Sequence, residues 1–187
     1  MADYKPLTDS EVRDTAGAYY AERQAKSLPQ EQPTMVLVGG QSGAGKSEAS
    51  AVVRAELTER GGYVLVDADR MRERIPLGGS KPTSDQTQPD ARRLVSVLRD
   101  MAIDGRRNIV EEGTFKDPAA MEKAIQDMHA KGYKVELYAV ATPREESLVG
   151  IYVRYEKQHA QEEAVNPRFV SEKYHDAAMQ GFESTLA

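Results

Sequence analysis

The eight residues Gly40-Gln41-Ser42-Gly43-Ala44-Gly45-Lys46-Ser47 constrain this chain more than any other stretch. A short apolar run, Met35-Val36-Leu37-Val38, precedes them, and Ala49, Val52, Val53 and Leu57 follow at helical spacing. Strand, glycine loop and helix in that order make the P-loop pattern, complete and in its proper context. Glycines allow backbone conformations that a Cβ forbids, so successive N–H groups can turn inward onto a polyphosphate. The helix that follows adds its unsatisfied N–H groups and its dipole to that anion site. Lys46 is expected to reach the β- and γ-phosphates, and the Ser47 hydroxyl to ligate Mg²⁺. The stretch predicts a site for a nucleoside triphosphate.

The rest of the chain supplies a frame for that loop. Thr8 and Glu11 have capping-box spacing, and Val12, Ala16 and Tyr19 recur helically, which predicts a helix over about 9–27. Tyr63-Val64-Leu65-Val66 reads as a second strand, ending in Asp67-Ala68-Asp69-Arg70, with a short helix from Arg70 to Ile75. Residues 76–90 show no period and predict a long mobile loop. Leu94, Val97, Leu98, Met101 and Ala102 form a helical stripe; Asn108 to Glu111 is a third strand. Asp117-Pro118 starts a helix with face Met121, Ala124, Ile125 and Met128, and Val135 to Ala141 is a fourth strand. Thr142-Pro143-Arg144-Glu145 predicts a capping box, with Leu148, Ile151, Tyr152 and Tyr155 buried behind it and Arg154 on the flank. A polar linker at 158–167 leads to a last helix outlined by Val170, Tyr174, Ala177, Ala178 and Phe182. Strands alternating with helices predict an α/β fold in three layers, a mostly parallel sheet with helices on both faces. At 187 residues a single P-loop kinase domain over 1–187 is expected.

Composition narrows the function classes. A net charge of −5 argues against a general nucleic-acid binder. No apolar run approaches the roughly 20 residues that cross a bilayer, and no secretory signal opens the chain. Cysteine is absent, which excludes disulfides and thiolate metal sites and fits a cytoplasmic location. His129, His159 and His175 lack metal-like spacing and read as structural.

A GTPase would need an Asp-x-x-Gly switch and an Asn-Lys-x-Asp base reader, and neither occurs. A small P-loop kinase remains, transferring phosphoryl to a bound acceptor. Such an enzyme needs a phosphate cradle, Mg²⁺, cations on the moving phosphoryl group and a base at the acceptor hydroxyl. The chain offers Lys46, Ser47, the arginines of its last third, and Asp67 or Asp69, since strand ends in open α/β sheets are where ligands sit. One of the two aspartates could equally cap the helix that follows. Glu111 could stand in for a Walker-B aspartate or simply end its strand.

Gly39 to Ser47, Val66-Asp67-Ala68-Asp69, Glu112-Gly113-Thr114 and Arg154-Tyr155-Glu156, taken in order, resemble the zeta toxins of bacterial toxin–antitoxin systems. The resemblance runs from about residue 7 to about 185. It implies an ATP- or GTP-dependent kinase that phosphorylates the 3′-hydroxyl of the sugar in UDP-N-acetylglucosamine, so blocking cell-wall precursor synthesis, and a small helical antitoxin as partner. By motif, Asp67 is the implied general base, Glu112 and Thr114 hold the sugar nucleotide, and Arg154 and Arg168 clamp the triphosphate. A carboxylate that the family uses for substrate, in the helix before the third strand, falls here at Val95 or Ser96. That departure keeps two other expectations in play: transfer to another hydroxyl, such as a nucleotide, cofactor or antibiotic, and a nucleotide-binding regulator without transfer activity.

Overall fold

The computed structural model describes residues 4–160 and 169–187. Its sheet has four strands, β1 (Thr34–Gly39), β2 (Val64–Val66), β3 (Ile109–Gly113) and β4 (Lys134–Ala139), all parallel and ordered β2-β3-β1-β4. The helices are α1 (Asp9–Gln24), α2 (Lys46–Glu59), α3 (Ala68–Arg72), α4 (Ser84–Asp104), α5 (Pro118–Ala130), α6 (Arg144–His159) and α7 (Glu172–Leu186). Strand alternation divides the core into two layers. Val36, Val38, Leu65 and Val110 point to the face covered by Val53 and Leu57 of α2. Met35, Leu37, Val64, Val66 and Ile109 point to the other face, under α1, α3, α4 and α5. The expected three-layer α/β architecture is the one observed.

Local signals explain most element starts. The Thr8 hydroxyl accepts from Glu11 N–H, and the Glu11 carboxylate accepts from Thr8 N–H at 2.8 Å, so α1 opens with the expected box. Asp117 caps α5, with Pro118 in the first turn. The segment before α1 is pinned by Asp90 of α4, whose carboxylate accepts from Tyr4 Oη at 2.5 Å, Leu7 N–H at 3.0 Å and Arg93 at 2.7 Å.

Five expectations change. The loop predicted at 76–90 shortens, because α4 begins at Ser84 behind a Thr83–Gln86 capping box, and Pro89 is accommodated inside that helix. Proline removes one N–H, but the reciprocal cap supplies a start signal upstream of it. The short helix after β2 spans Ala68–Arg72 rather than Arg70–Ile75, with Asp67 as its cap. The box predicted at Thr142 does not form: Pro143 is the N-cap without a side-chain bond, and the Thr142 hydroxyl donates to Ala44 O at 2.9 Å. The inward face of α6 carries Ser147 and Ile151, while Tyr152 is 55% exposed. In α7 the buried positions are His175, Ala178 and Phe182, and Tyr174 and Ala177 face outward.

Candidate functional site

Residues 40–47 fold as a loop between the end of β1 and the start of α2. Gly43 and Gly45 sit at φ +80° and +83°, in the left-handed region, and Gly45 is the N-cap of α2. Those two angles turn the loop so that its N–H groups and the helix start can converge on an anion. Lys46 is half-buried and lies back over the loop, its Nζ donating to Gly40 O and Gln41 O at 3.0 Å each. An ammonium held over a ring of backbone at a helix N-terminus fits a polyphosphate, and the exposed Ser47 in the first turn fits its Mg²⁺. Gln41, Ser42 and Ala44 are buried, so the loop is backed by protein rather than by solvent.

That backing is α6. The side chain of Gln41 donates to Thr142 O at 2.6 Å and to Ser147 Oγ at 3.3 Å. A Cβ on Gly150 would lie 2.5 Å from Gly43 O, so the helix and loop backbones touch directly. Ser147, Gly150, Ile151 and Arg154 follow one another at helical spacing, which puts Arg154 on the face that meets the loop rather than on its flank. Arg168 lies outside the described residues.

Asp67 and Glu112 continue the strand rows that face α2, two residues beyond Leu65 and Val110. They are close enough to interact. The Asp67 carboxyl is pushed up to about 6, first by burial, then by the charge of Asp69 and more weakly by that of Glu112, against the Asp69 N–H that lowers it. Asp67 Oδ1 accepts that N–H at 2.8 Å, so one aspartate both caps α3 and carries the perturbed carboxyl. Asp69 pairs with Arg72, which also bonds Gln88 and so ties α3 to α4. Thr114 is half-buried just after β3.

Glu111 is not part of this group. Alternation sends it to the opposite face of the sheet, where Arg99 of α4 grips it with two bonds, at 2.7 and 2.5 Å. A Walker-B role for Glu111 is therefore corrected to a structural ion pair. That pair borders a cavity of about 400 Å³ between α4 and α5, floored by Met35 and Leu37, which neither Lys46 nor Asp67 lines. Sequence reasoning also missed Thr142 and Ser147, whose polar side chains hold the loop from behind, and the contact of His175 with Ser147. Their signal was thin: small or polar residues inside helices and turns leave no mark in an apolar period.

Comparison with known proteins agrees with this geometry. The family model described as Zeta toxin matches residues 17–187. Toxin PezT of Streptococcus pneumoniae is 29% identical over 183 residues, which cover 93% of this chain and 70% of that protein. Toxin zeta of Enterococcus hirae is 26% identical over 162 residues, covering 83% of this chain and 56% of the relative. The chain thus spans little more than half of one relative and about two thirds of the other. A solved chain of the PezAT chromosomal toxin–antitoxin system of Streptococcus pneumoniae superposes with a TM-score of 0.74 at 26% identity, covering 91% of this chain and 72% of that one. Among the described residues no helix is long and apolar enough to cross a membrane. With loop, strand-end carboxylates and arginine helix arranged as above, this chain belongs to the Zeta toxin family, a group of kinase-like P-loop toxins.

Proposed function

We propose that this chain, acting as a single cytoplasmic P-loop kinase domain, moves the γ-phosphoryl group of ATP or GTP onto a hydroxyl, with the 3′-hydroxyl of UDP-N-acetylglucosamine as first-choice acceptor. The observation that carries the reading is Asp67: a carboxyl raised to about 6, at a strand end on the sheet face that bears the P-loop helix. A base poised near neutral pH accepts a proton well and gives it up readily. In the transfer, the acceptor oxygen forms a bond to γ-phosphorus as the bond to the bridging β–γ oxygen breaks. The acceptor proton passes to Asp67 Oδ, and the nucleoside diphosphate departs with the bridging oxygen. Lys46 and Arg154 offset charge on the moving phosphoryl group, and Arg168 is proposed as a second guanidinium there. Mg²⁺, when held through Ser47, supplies further charge neutralisation. Glu112 and Thr114 are proposed to orient the acceptor.

A second acceptor class has a specific observation in its favour. Val95 is half-buried against the core and Ser96 is exposed, so α4 presents no carboxylate at the position the family uses. Asp90 and Glu111 are occupied by Tyr4, Leu7, Arg93 and Arg99 and do not replace it. Asp85, exposed at the start of α4, is the carboxylate left to serve. Losing one charged hydrogen-bond partner weakens binding by about 10- to 150-fold. The PezAT relative is part of a toxin–antitoxin system, and a small helical antitoxin is proposed here too.

Mass spectrometry after incubation with ATP, Mg²⁺ and a panel of acceptors tests the reading. A phosphorylated sugar nucleotide, absent with Lys46→Ala, is the expected result. Phosphorylation of a different alcohol alone moves the assignment to the second class. ATP binding without transfer to any acceptor would sink the kinase reading.

A further inference from the structure

Behind the P-loop lies a row of polar groups that no element of the transfer chemistry uses. Ser147 Oγ is 2.7 Å from His175 Nε2, and His175 Nδ1 is 3.0 Å from Asp176 Oδ1. Arg144 bonds the same Asp176 carboxylate through Nε and Nη2, each at 2.9 Å. On its other side Ser147 Oγ accepts from Gln41 Nε2. Serine, histidine and aspartate in this order look like a hydrolytic triad, but Ser147 and His175 are both 0% exposed. A nucleophile needs room for its substrate, and Ser147 has the loop and two helices around it.

The chemistry of the row is that of a brace. A carboxylate beside Nδ1 requires a proton on that nitrogen, so in the neutral ring Nε2 is the acceptor. With Nδ1 protonated, the Ser147 hydroxyl donates to His175, in competition with the carbonyls of Arg144 at 2.9 Å and Pro143 at 3.2 Å in its own helix, and its lone pairs serve Gln41. In that tautomer the row runs from the P-loop toward α7: Gln41 N–H to Ser147, Ser147 O–H to His175, His175 N–H to Asp176. Fully satisfied buried rows of this kind hold their members in one arrangement, because a group left unpaired inside is costly.

We infer that His175 is a positioning residue for nucleotide binding: from α7 it fixes Ser147, and through Ser147 it sets both the Gln41 end of the P-loop and the face of α6 that carries Arg154. The direct backbone contact between Gly150 and Gly43 means that any shift of α6 is passed to the loop. The inference rests on the proposed nucleotide site. It goes beyond that site in assigning its shape to a buried histidine one helix away.

The test is ATP titration by calorimetry with Mg²⁺, alongside thermal unfolding, on the full chain. His175→Ala and Ser147→Ala should each weaken ATP about five- to tenfold and raise the KM for ATP by a similar factor. His175→Gln, whose amide oxygen can accept from Ser147, should recover most of the affinity. Gln41→Ala should weaken ATP similarly, and the double variant with Ser147→Ala should add little, since one row is broken once. A lowered melting temperature with unchanged ATP affinity in both His175→Ala and Ser147→Ala would overturn the inference, leaving His175 as core alone. Where His175→Ala does not fold, Ser147→Ala decides, because it removes a single oxygen. If the unaltered chain does not bind ATP, the nucleotide site itself fails, which is a different outcome.

Discussion

The carbonyl oxygen of Ser147 fills the space beside Gly43 in which any side chain would begin: a Cβ there would lie 1.9 Å from it. Gly43 also sits at φ +80°. Loop and helix are thus in backbone contact at a position that only glycine satisfies, in angle and in space.

Gly43→Ala therefore breaks two conditions at once. A non-glycine residue in the left-handed region costs roughly 1–2 kcal/mol, and overpacking a further 1–3 kcal/mol. The overlap is relieved only if the loop shifts off α6, so the strain should appear in nucleotide binding as well as in unfolding. ATP affinity should fall at least about tenfold, with a lowered melting temperature. Calorimetry beside a thermal melt reads both, and full ATP affinity in the variant would refute the contact.

Asp67→Asn should lower kcat by about 10²- to 10⁴-fold while ATP still binds. The same change should stabilise the fold at neutral pH. Burial and neighbouring carboxylates raise the Asp67 carboxyl to about 6, so the unfolded chain loses this proton more readily than the folded one. The favourable share is therefore complete below about pH 4, where both states are protonated, and it is lost as pH rises through 6. Asparagine removes the charge, keeps the cap on α3 and should raise stability at pH 7.5 by on the order of 1–2 kcal/mol. Asp69→Asn, which loses a partly exposed pair with Arg72, should affect turnover far less. If Asp69 proves the sensitive position, the base moves by two residues.

The rate should show an acid limb. Below about pH 6 the Asp67 carboxyl is protonated and no longer accepts the acceptor proton, so kcat should fall about tenfold for each pH step. A pH–rate profile in saturating ATP and acceptor measures this. A flat profile between pH 5 and 7, with folding intact, would remove Asp67 as the base.

Asp90→Ala should be costly to stability and nearly silent at the P-loop. The side chain is 2% exposed and joins the N-terminal segment to α4. Its removal orphans the buried Leu7 N–H and releases Tyr4, for a loss of about 2–4 kcal/mol in urea unfolding. Burial alone would raise this carboxyl, but bonds from Tyr4, Leu7 N–H and Arg93 outweigh it and hold the carboxyl below the ordinary value. The stabilisation is present above the usual aspartate value of about 3.9 and is lost as pH falls through the lower folded value, so the variant should unfold less steeply in acid.

Consecutive residues were enough to read the P-loop, the Thr8 box, the Asp117-Pro118 start and the four parallel strands. Each of these is a local condition: an angle that needs glycine, a hydroxyl three residues from a carboxylate, an apolar run of strand length. Asp67 was also legible as a strand end, because parallel sheets place ligands there whatever the surrounding sequence, whereas Glu112 stood out only through the family resemblance. Which way α6 turns was decided elsewhere. Tyr152 is larger and more apolar than Ser147, so periodicity favours burying it, yet Ser147 is inside because Gln41 and His175 meet it there. The Thr142 hydroxyl bonds Ala44 of the P-loop, and α6 starts one residue later, with Pro143 as its N-cap. His175 reads as an ordinary interior residue until α7 brings it to within 2.7 Å of Ser147. Partners far apart in the chain meet only when the sheet has closed, and a polar side chain carries no periodic mark of the partner it will find.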